Sequence, residues 1–140
     1  MHSLTKYMNG HTDSVMGAIM LNNEEIYKRM KYLQNAVGAV PSPFDCYMVN
    51  RGLKTLALRM RQHMDNGMKL ARALESNPRI EKLIYPGLES HPQHELYKRQ
   101  MKGFGGMISI YIKGDLNTTT TFLKELKVHN KLFINFILSY

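Results

Sequence analysis

The sequence holds a single cysteine, no tryptophan and only 9% aromatic residues. One cysteine excludes a disulfide framework and a cysteine-based zinc site. It also fits a reduced, cytoplasmic setting better than an oxidising one. No apolar run approaches the ~20 residues that cross a bilayer. The N-terminus lacks a basic start followed by an apolar stretch, so secretion is not expected. Internal repeats are missing, and the only biased tract is Thr118 to Thr121. What remains is 140 residues, 44% apolar and 21% charged, a globular composition with the length of one ordinary domain. A compact chain of that length removes about two thirds of its unfolded surface from water.

Nineteen Lys and Arg against 11 Asp and Glu give a net charge of +8. Such a surplus raises nucleic acid as a partner. The basic residues are dispersed, however, and the tightest groups are Lys28-Arg29-Met30-Lys31 and Lys98-Arg99. No aromatic residues interleave with them at a base-stacking spacing. They read as solvated helix faces, with no nucleic-acid partner.

The pattern alternates helix and strand, an α/β class. The apolar run Ser14 to Leu21 predicts a buried strand. Asn22-Asn23-Glu24-Glu25, with a capping Asn and early acids, starts a helix that carries Ile26, Met30, Leu33 and Val37 and ends at Gly38. After Val40-Pro-Ser-Pro43, one long helix is expected from Phe44 to Ser76, with a kink or a close approach at Gly52. Its stripe of Leu53, Leu56, Met60, Met64, Gly67, Ala71 and Leu74 reads as core. Strands are expected over 80–85 and 107–113, a short helix over 92–101, and a helix capped by Asp115 or Asn117.

Several residue groups invite chemistry. His91 and His94 straddle a proline with no third ligand near in sequence, so no metal site is expected. Gly103-Phe-Gly-Gly106 precedes a strand, the reverse of a phosphate loop. Cys46 lacks a neighbouring base and reads as a small apolar residue. The segment Ser3-Leu-Thr-Lys6-Tyr-Met-Asn-Gly10-His-Thr-Asp13 is more suggestive. A neutral, positioned lysine amine condenses with an aldehyde, and hydroxyls one and three positions before it suit a phosphate.

Ser-x-Thr-Lys-Tyr-x-x-Gly-His resembles the cofactor-lysine segment of the pyridoxal-phosphate (PLP) enzymes of cysteine and methionine metabolism. Phe44-Asp-Cys-Tyr, Asn50-Arg-Gly-Leu-Lys-Thr-Leu56, Ala73-Leu-Glu-Ser-Asn-Pro78, Ile84-Tyr-Pro-Gly-Leu88, Ser90-His-Pro-Gln-His-Glu95 and Lys98-Arg-Gln100 extend the similarity. Together they resemble the cystathionine gamma-lyases, from His2 to about Lys127.

The resemblance implies an aminotransferase-like (fold type I) architecture. Residues 1–57 would close the large PLP domain, 58–127 would begin the smaller C-terminal α/β domain, and 128–140 would be a divergent tail. It implies that Lys6 is catalytic and carries pyridoxal 5'-phosphate, with Ser3 and Thr5 on its phosphate. It implies γ-elimination of cystathionine to cysteine, 2-oxobutanoate and ammonia, hydrogen sulfide release from cysteine or homocysteine, and a homotetramer of full-length subunits. Thr12 stands where the family usually has Ser. The acid for the pyridine nitrogen, the glycine-rich phosphate turn and the ring-stacking aromatic would precede Lys6. The arginine for the substrate carboxylate would follow residue 127. None of these maps onto this sequence. Val128 to Tyr140, almost wholly apolar from Leu132 to Leu138, does not resemble the family and reads as out-of-frame or intron-derived sequence. The expectation is therefore a truncated chain, inactive and poorly soluble alone, with association with full-length subunits as the alternative role.

Overall fold

A computed structural model describes residues 1–126. The expected divergent tail lies outside the described residues. The chain divides into two compact units, Met1–Met60 and the residues from Arg61 onward.

In the first unit β1 (His2–Ser3) pairs antiparallel with β2 (Gly17–Ala18), His2 opposite Ala18 and Ser3 opposite Gly17. Between them Leu4–Met8 forms a π-helical turn. The expected strand over Ser14 to Leu21 is thus reduced to two residues. Nor is it buried: Val15 is 87% exposed, Ile19 56% and Met20 60%. A strand pairs along its edges and is hidden by layers packed on its faces, and among the described residues β2 has one strand partner, two residues long.

Helix α1 (Glu24–Val37) forms as its end signals dictate. The Asn23 side chain accepts from the Ile26 N–H at 2.9 Å, and Gly38 closes the helix at φ 77°. No residue of α1 is buried. Helix α2 (Pro43–Leu53) is capped reciprocally. Ser42 Oγ accepts from the Asp45 N–H at 3.0 Å and donates to the Asp45 carboxylate at 2.7 Å, while Pro43 occupies the first turn, where it sacrifices no helical bond.

The single long helix expected from Phe44 to Ser76 is instead two, α2 and α3 (Leu56–Glu75). Lys54 N–H and Thr55 N–H bond three residues back, to Arg51 and Gly52 carbonyls, both at 3.2 Å. The Gly52 carbonyl also accepts from the Arg59 guanidinium at 2.8 Å and the Thr55 hydroxyl at 3.2 Å. Side chains thereby take an acceptor that a continuous helix would use. At Gly52 itself the close approach expected from sequence is present, since a Cβ there would run into the Asn9 carbonyl.

In the second unit the antiparallel strands β3 (Ile80–Ile84) and β4 (Ser109–Ile112) place Leu83 opposite Ile110 and Ile84 opposite Ser109, with an irregularity between Ile80 and Lys82. Ala71, Tyr85 and Leu88 form the buried core, against which Met68, Leu83, Phe104 and Ile108 pack. Gly67 belongs to this packing, because a Cβ there would stand 2.9 Å from Tyr85 Oη and 3.0 Å from the Gly105 carbonyl. Along the expected stripe Gly67 and Ala71 are buried, Met60, Met64 and Leu74 half-buried, and Leu53 exposed. Helix α4 (His94–Gln100) follows Pro92, and α5 (Leu116–Glu125) is capped by Asp115, which accepts from the Thr118 N–H at 2.9 Å.

Candidate functional site

The turn Leu4–Met8 is short, and its ends are tied down. Asn9 N–H returns to the Leu4 carbonyl and Gly10 N–H to the Lys6 carbonyl, both at 2.8 Å. Lys6 interrupts the helical dihedrals at φ −90°, ψ −121°, and its side chain is exposed. On the other side, Leu4 N–H and Thr5 N–H both donate to the Met16 carbonyl, at 2.9 and 3.3 Å.

Arg59 anchors the turn. Its guanidinium donates to the carbonyls of Tyr7 at 2.6 Å, Met8 at 3.2 Å and Gly52 at 2.8 Å, and its Nε donates to the Thr55 hydroxyl at 3.0 Å. A planar five-donor group spans several carbonyls at once. A Cβ at Gly10 would collide with that guanidinium, and Gly10 also sits at φ 77°, a conformation glycine adopts without steric penalty. Arg59 was not singled out from sequence. It stands between Leu58 and Met60 like any solvated helix residue, and no local signal marks it.

The three expected site residues fall together on this stretch. Ser3 is exposed, and its hydroxyl makes no hydrogen bond among the described residues. Thr5 Oγ1 accepts from the Met16 N–H at 3.0 Å and donates to the Met16 carbonyl at 3.4 Å. Its lone pair is firmly engaged, while its proton is held only by a long contact and can turn onto a phosphate oxygen. A primary amine for the aldehyde, one open hydroxyl and one re-orientable hydroxyl for the phosphate fit one end of pyridoxal phosphate.

Next to the turn lies a cleft of ≈ 240 Å³ lined by Asn9, His11, Asp13, Met48, Arg51, Gly52 and Thr55. Asn9 is 1% exposed, donates to the Asp13 carboxylate at 2.6 Å, and leaves its Oδ1 without a partner among the described residues. His11 Nδ1 donates to the Asn9 carbonyl at 2.7 Å, which sets its tautomer. Thr12 adopts φ 59°, the left-handed region, between these two polar contacts. Ser14 Oγ donates to Asp45 at 3.0 Å.

The other groups are occupied structurally. His94 Nδ1 donates to the Pro86 carbonyl at 2.8 Å and its ring stacks on Phe104 at 5.5 Å. His91 Nδ1 accepts from the Gln93 N–H at 3.1 Å. Among the described residues no three His, Cys, Asp or Glu side chains gather to hold a metal ion. Nor, among them, is any helix long and apolar enough to cross a membrane.

Residues 1–133 match the family model of the Cys/Met metabolism PLP-dependent enzymes. The chain belongs to that family. Among curated members it is 62% identical to cystathionine gamma-lyase of Sus scrofa over 128 residues, which are 91% of this chain and 32% of the relative. Among solved structures, cystathionine gamma synthase from Xanthomonas oryzae pv. oryzae in complex with cystathionine superposes with a TM-score of 0.88 at 38% identity, covering 92% of this chain and 33% of that one. Cystathionine gamma-lyase from Lactobacillus plantarum complexed with L-serine gives a TM-score of 0.85, also at 38% identity, over 91% of this chain and 33% of the other. The chain thus spans about a third of the length of these family members. Its fold is that of a piece of the larger PLP-dependent enzyme.

Proposed function

We propose that the chain is the lysine-bearing third of a cystathionine gamma-lyase, in which Lys6 tethers pyridoxal phosphate and Ser3 and Thr5 hold its phosphate. The parent reaction consumes cystathionine and water and releases cysteine, 2-oxobutanoate and ammonia, with hydrogen sulfide from cysteine or homocysteine as a side product. The observation that carries this reading is the tethered turn on which an exposed amine lies one residue from Thr5 and three from Ser3. The 62% identity to the pig lyase favours lyase over synthase chemistry.

Bound pyridoxal phosphate supplies an electron sink for bond cleavage at the amino-acid carbons. The chain's own residues do the rest. Ser3 and Thr5 orient the phosphate through hydroxyl donors, which suit a dianion. Lys6 Nζ would hold the aldehyde end of the cofactor and would move protons at the substrate's α and β carbons. Arg59 keeps the turn in place by holding the carbonyls of Tyr7 and Met8.

The chain alone does not turn over. Lys6 is exposed, and water at the lysine competes with every step that needs a dry site. The full-length enzyme would be a homotetramer in the cytoplasm, acting on small amino acids.

Borohydride reduction of the chain with pyridoxal phosphate, followed by peptide mapping, tests the tether. Label is expected at Lys6 above the other lysines, and Lys6→Ala is expected to abolish it there. Even labelling of all lysines would remove Lys6 from this role. Cystathionine cleavage by the isolated chain would overturn its inactivity.

A further inference from the structure

The loop that leads from the lysine turn to β2 is not relaxed. Thr12 stands at φ 59°, a left-handed conformation that costs a β-branched residue free energy. Such a conformation persists where neighbouring contacts over-determine it. Two contacts flank it here. On one side the Asn9 amide donates to the Asp13 carboxylate at 2.6 Å. On the other, Ser14 Oγ donates to Asp45 Oδ1 at 3.0 Å, and Ser14 is buried. Asp45 is itself fixed in the first turn of α2. Its Oδ2 accepts from Ser42 Oγ at 2.7 Å, and its N–H donates to the same hydroxyl at 3.0 Å.

Ser14 lies two residues before Met16, and the lysine segment rests on Met16. The Met16 carbonyl accepts from Leu4 N–H and Thr5 N–H at 2.9 and 3.3 Å, and the Met16 N–H donates to Thr5 Oγ1 at 3.0 Å. A buried hydroxyl pinned to a capped helix thus fixes where the Met16 backbone lies, and with it the direction of the Thr5 hydroxyl. We propose that Asp45 is a positioning residue. Through Ser14 it holds the Met16 backbone against Leu4 and Thr5, and so presents the Thr5 hydroxyl to a phosphate beside the Lys6 amine. The phosphate part rests on the reading of Lys6 as the tether. The hold on Thr5 does not.

Two substitutions separate this role from a purely structural one. Ser14→Ala removes the link and spares the cap of α2, whereas Ser42→Ala weakens the cap and spares the link. Borohydride reduction with pyridoxal phosphate, followed by peptide mapping, gives the share of label at Lys6. That share should fall about fivefold in Ser14→Ala, the worth of one neutral hydrogen bond. It should stay level in Ser42→Ala, even though loss of the cap lowers the denaturant midpoint. With pyridoxal, which lacks the phosphate, Ser14→Ala should leave the share unchanged. Asp45→Ala should match Ser14→Ala in labelling, and the double variant should be no worse, because both remove the same link. Hydrogen exchange reads the hold on Thr5 without any cofactor. The Leu4 and Thr5 amides should exchange faster in Ser14→Ala and not in Ser42→Ala. Unchanged exchange at those amides, or an equal fall of the Lys6 label in both variants, would overturn the inference. Faster exchange in Ser14→Ala together with even labelling of all lysines in the parent chain would instead overturn the tether and leave the hold of Asp45 on Thr5 standing.

Discussion

From Arg61 onward, Tyr85 is 1% exposed, packs beside Ala71 and Leu88, and donates its hydroxyl to the Gly105 carbonyl at 2.8 Å. Phe104 stacks on His94 and Tyr97 at 5.5 and 5.4 Å. In Met1–Met60 the buried side chains are Leu4, Asn9, Ser14 and Val49, two of them polar, and the largest apolar residues lie outside. One unit is held by an apolar and aromatic cluster closed around a tyrosine. The other is held by hydrogen bonds radiating from Arg59 and Asp45, with its hydrophobic surface left over. Hydrogen bonds contribute modest net stability each, while burial scales with area. The unit that carries Lys6 is therefore the one in which, among the described residues, polar side chains make up half of what is buried.

The comparison breaks most visibly at Tyr85. Tyr85→Ala is expected to cost about 3–5 kcal/mol, because it empties the centre of the cluster. Hydrogen exchange should show the loss in β3 and β4, with the turn Leu4–Met8 unaffected. If both units melt together, their separation is wrong.

Gly52→Ala attacks the other unit. The added Cβ meets the Asn9 carbonyl rather than a flexible side chain, so overpacking of about 1–3 kcal/mol is expected. Denaturant titration monitored on α2 amides measures it, and no loss would mean the backbones part freely.

Arg59→Met removes the guanidinium but keeps an apolar stem, and a loss of about 1–2 kcal/mol is expected for charge-assisted bonds in a half-buried setting. Its sharper readout is Lys6. Amine labelling should speed up once the carbonyls of Tyr7 and Met8 are released. Unchanged labelling would show that the turn holds without Arg59.

The smallest effect concerns acid. Hydrogen bonds from Thr118 N–H and hydroxyl hold the Asp115 carboxyl below its ordinary value. A lowered folded value means the cap is fully present above the ordinary carboxylate range and is lost as pH falls through the lowered one. The Thr118 amide should therefore exchange faster in that acid window. Asp115→Asn should keep the cap and flatten the dependence. Asp115 is exposed, so global melting should barely move.

Much of this molecule was legible before its coordinates. Asn23, Gly38 and Asp115, the last expected alongside Asn117, bound helices where their side chains or backbone freedom say they must, because capping acts over three residues and needs no tertiary partner. The candidate segment Ser3-Thr5-Lys6 was marked out by its resemblance to the family's cofactor-lysine segment, which local spacing alone carries. The break between α2 and α3 was legible only as a kink or close approach at Gly52, since it depends on the Arg59 and Thr55 side chains taking the Gly52 carbonyl. Arg59 itself carries no periodic or compositional mark.

The apolar run Ser14 to Leu21 shows the boundary between the two kinds of information. Its residues determine that it is a strand wanting cover on both faces, because side-chain hydrophobicity is intrinsic. Whether cover arrives is a matter of what the tertiary structure packs on those faces, and among the described residues Val15, Ile19 and Met20 stay exposed. Local hydrogen bonding is decided by neighbours along the chain, and burial by whatever the fold brings within reach.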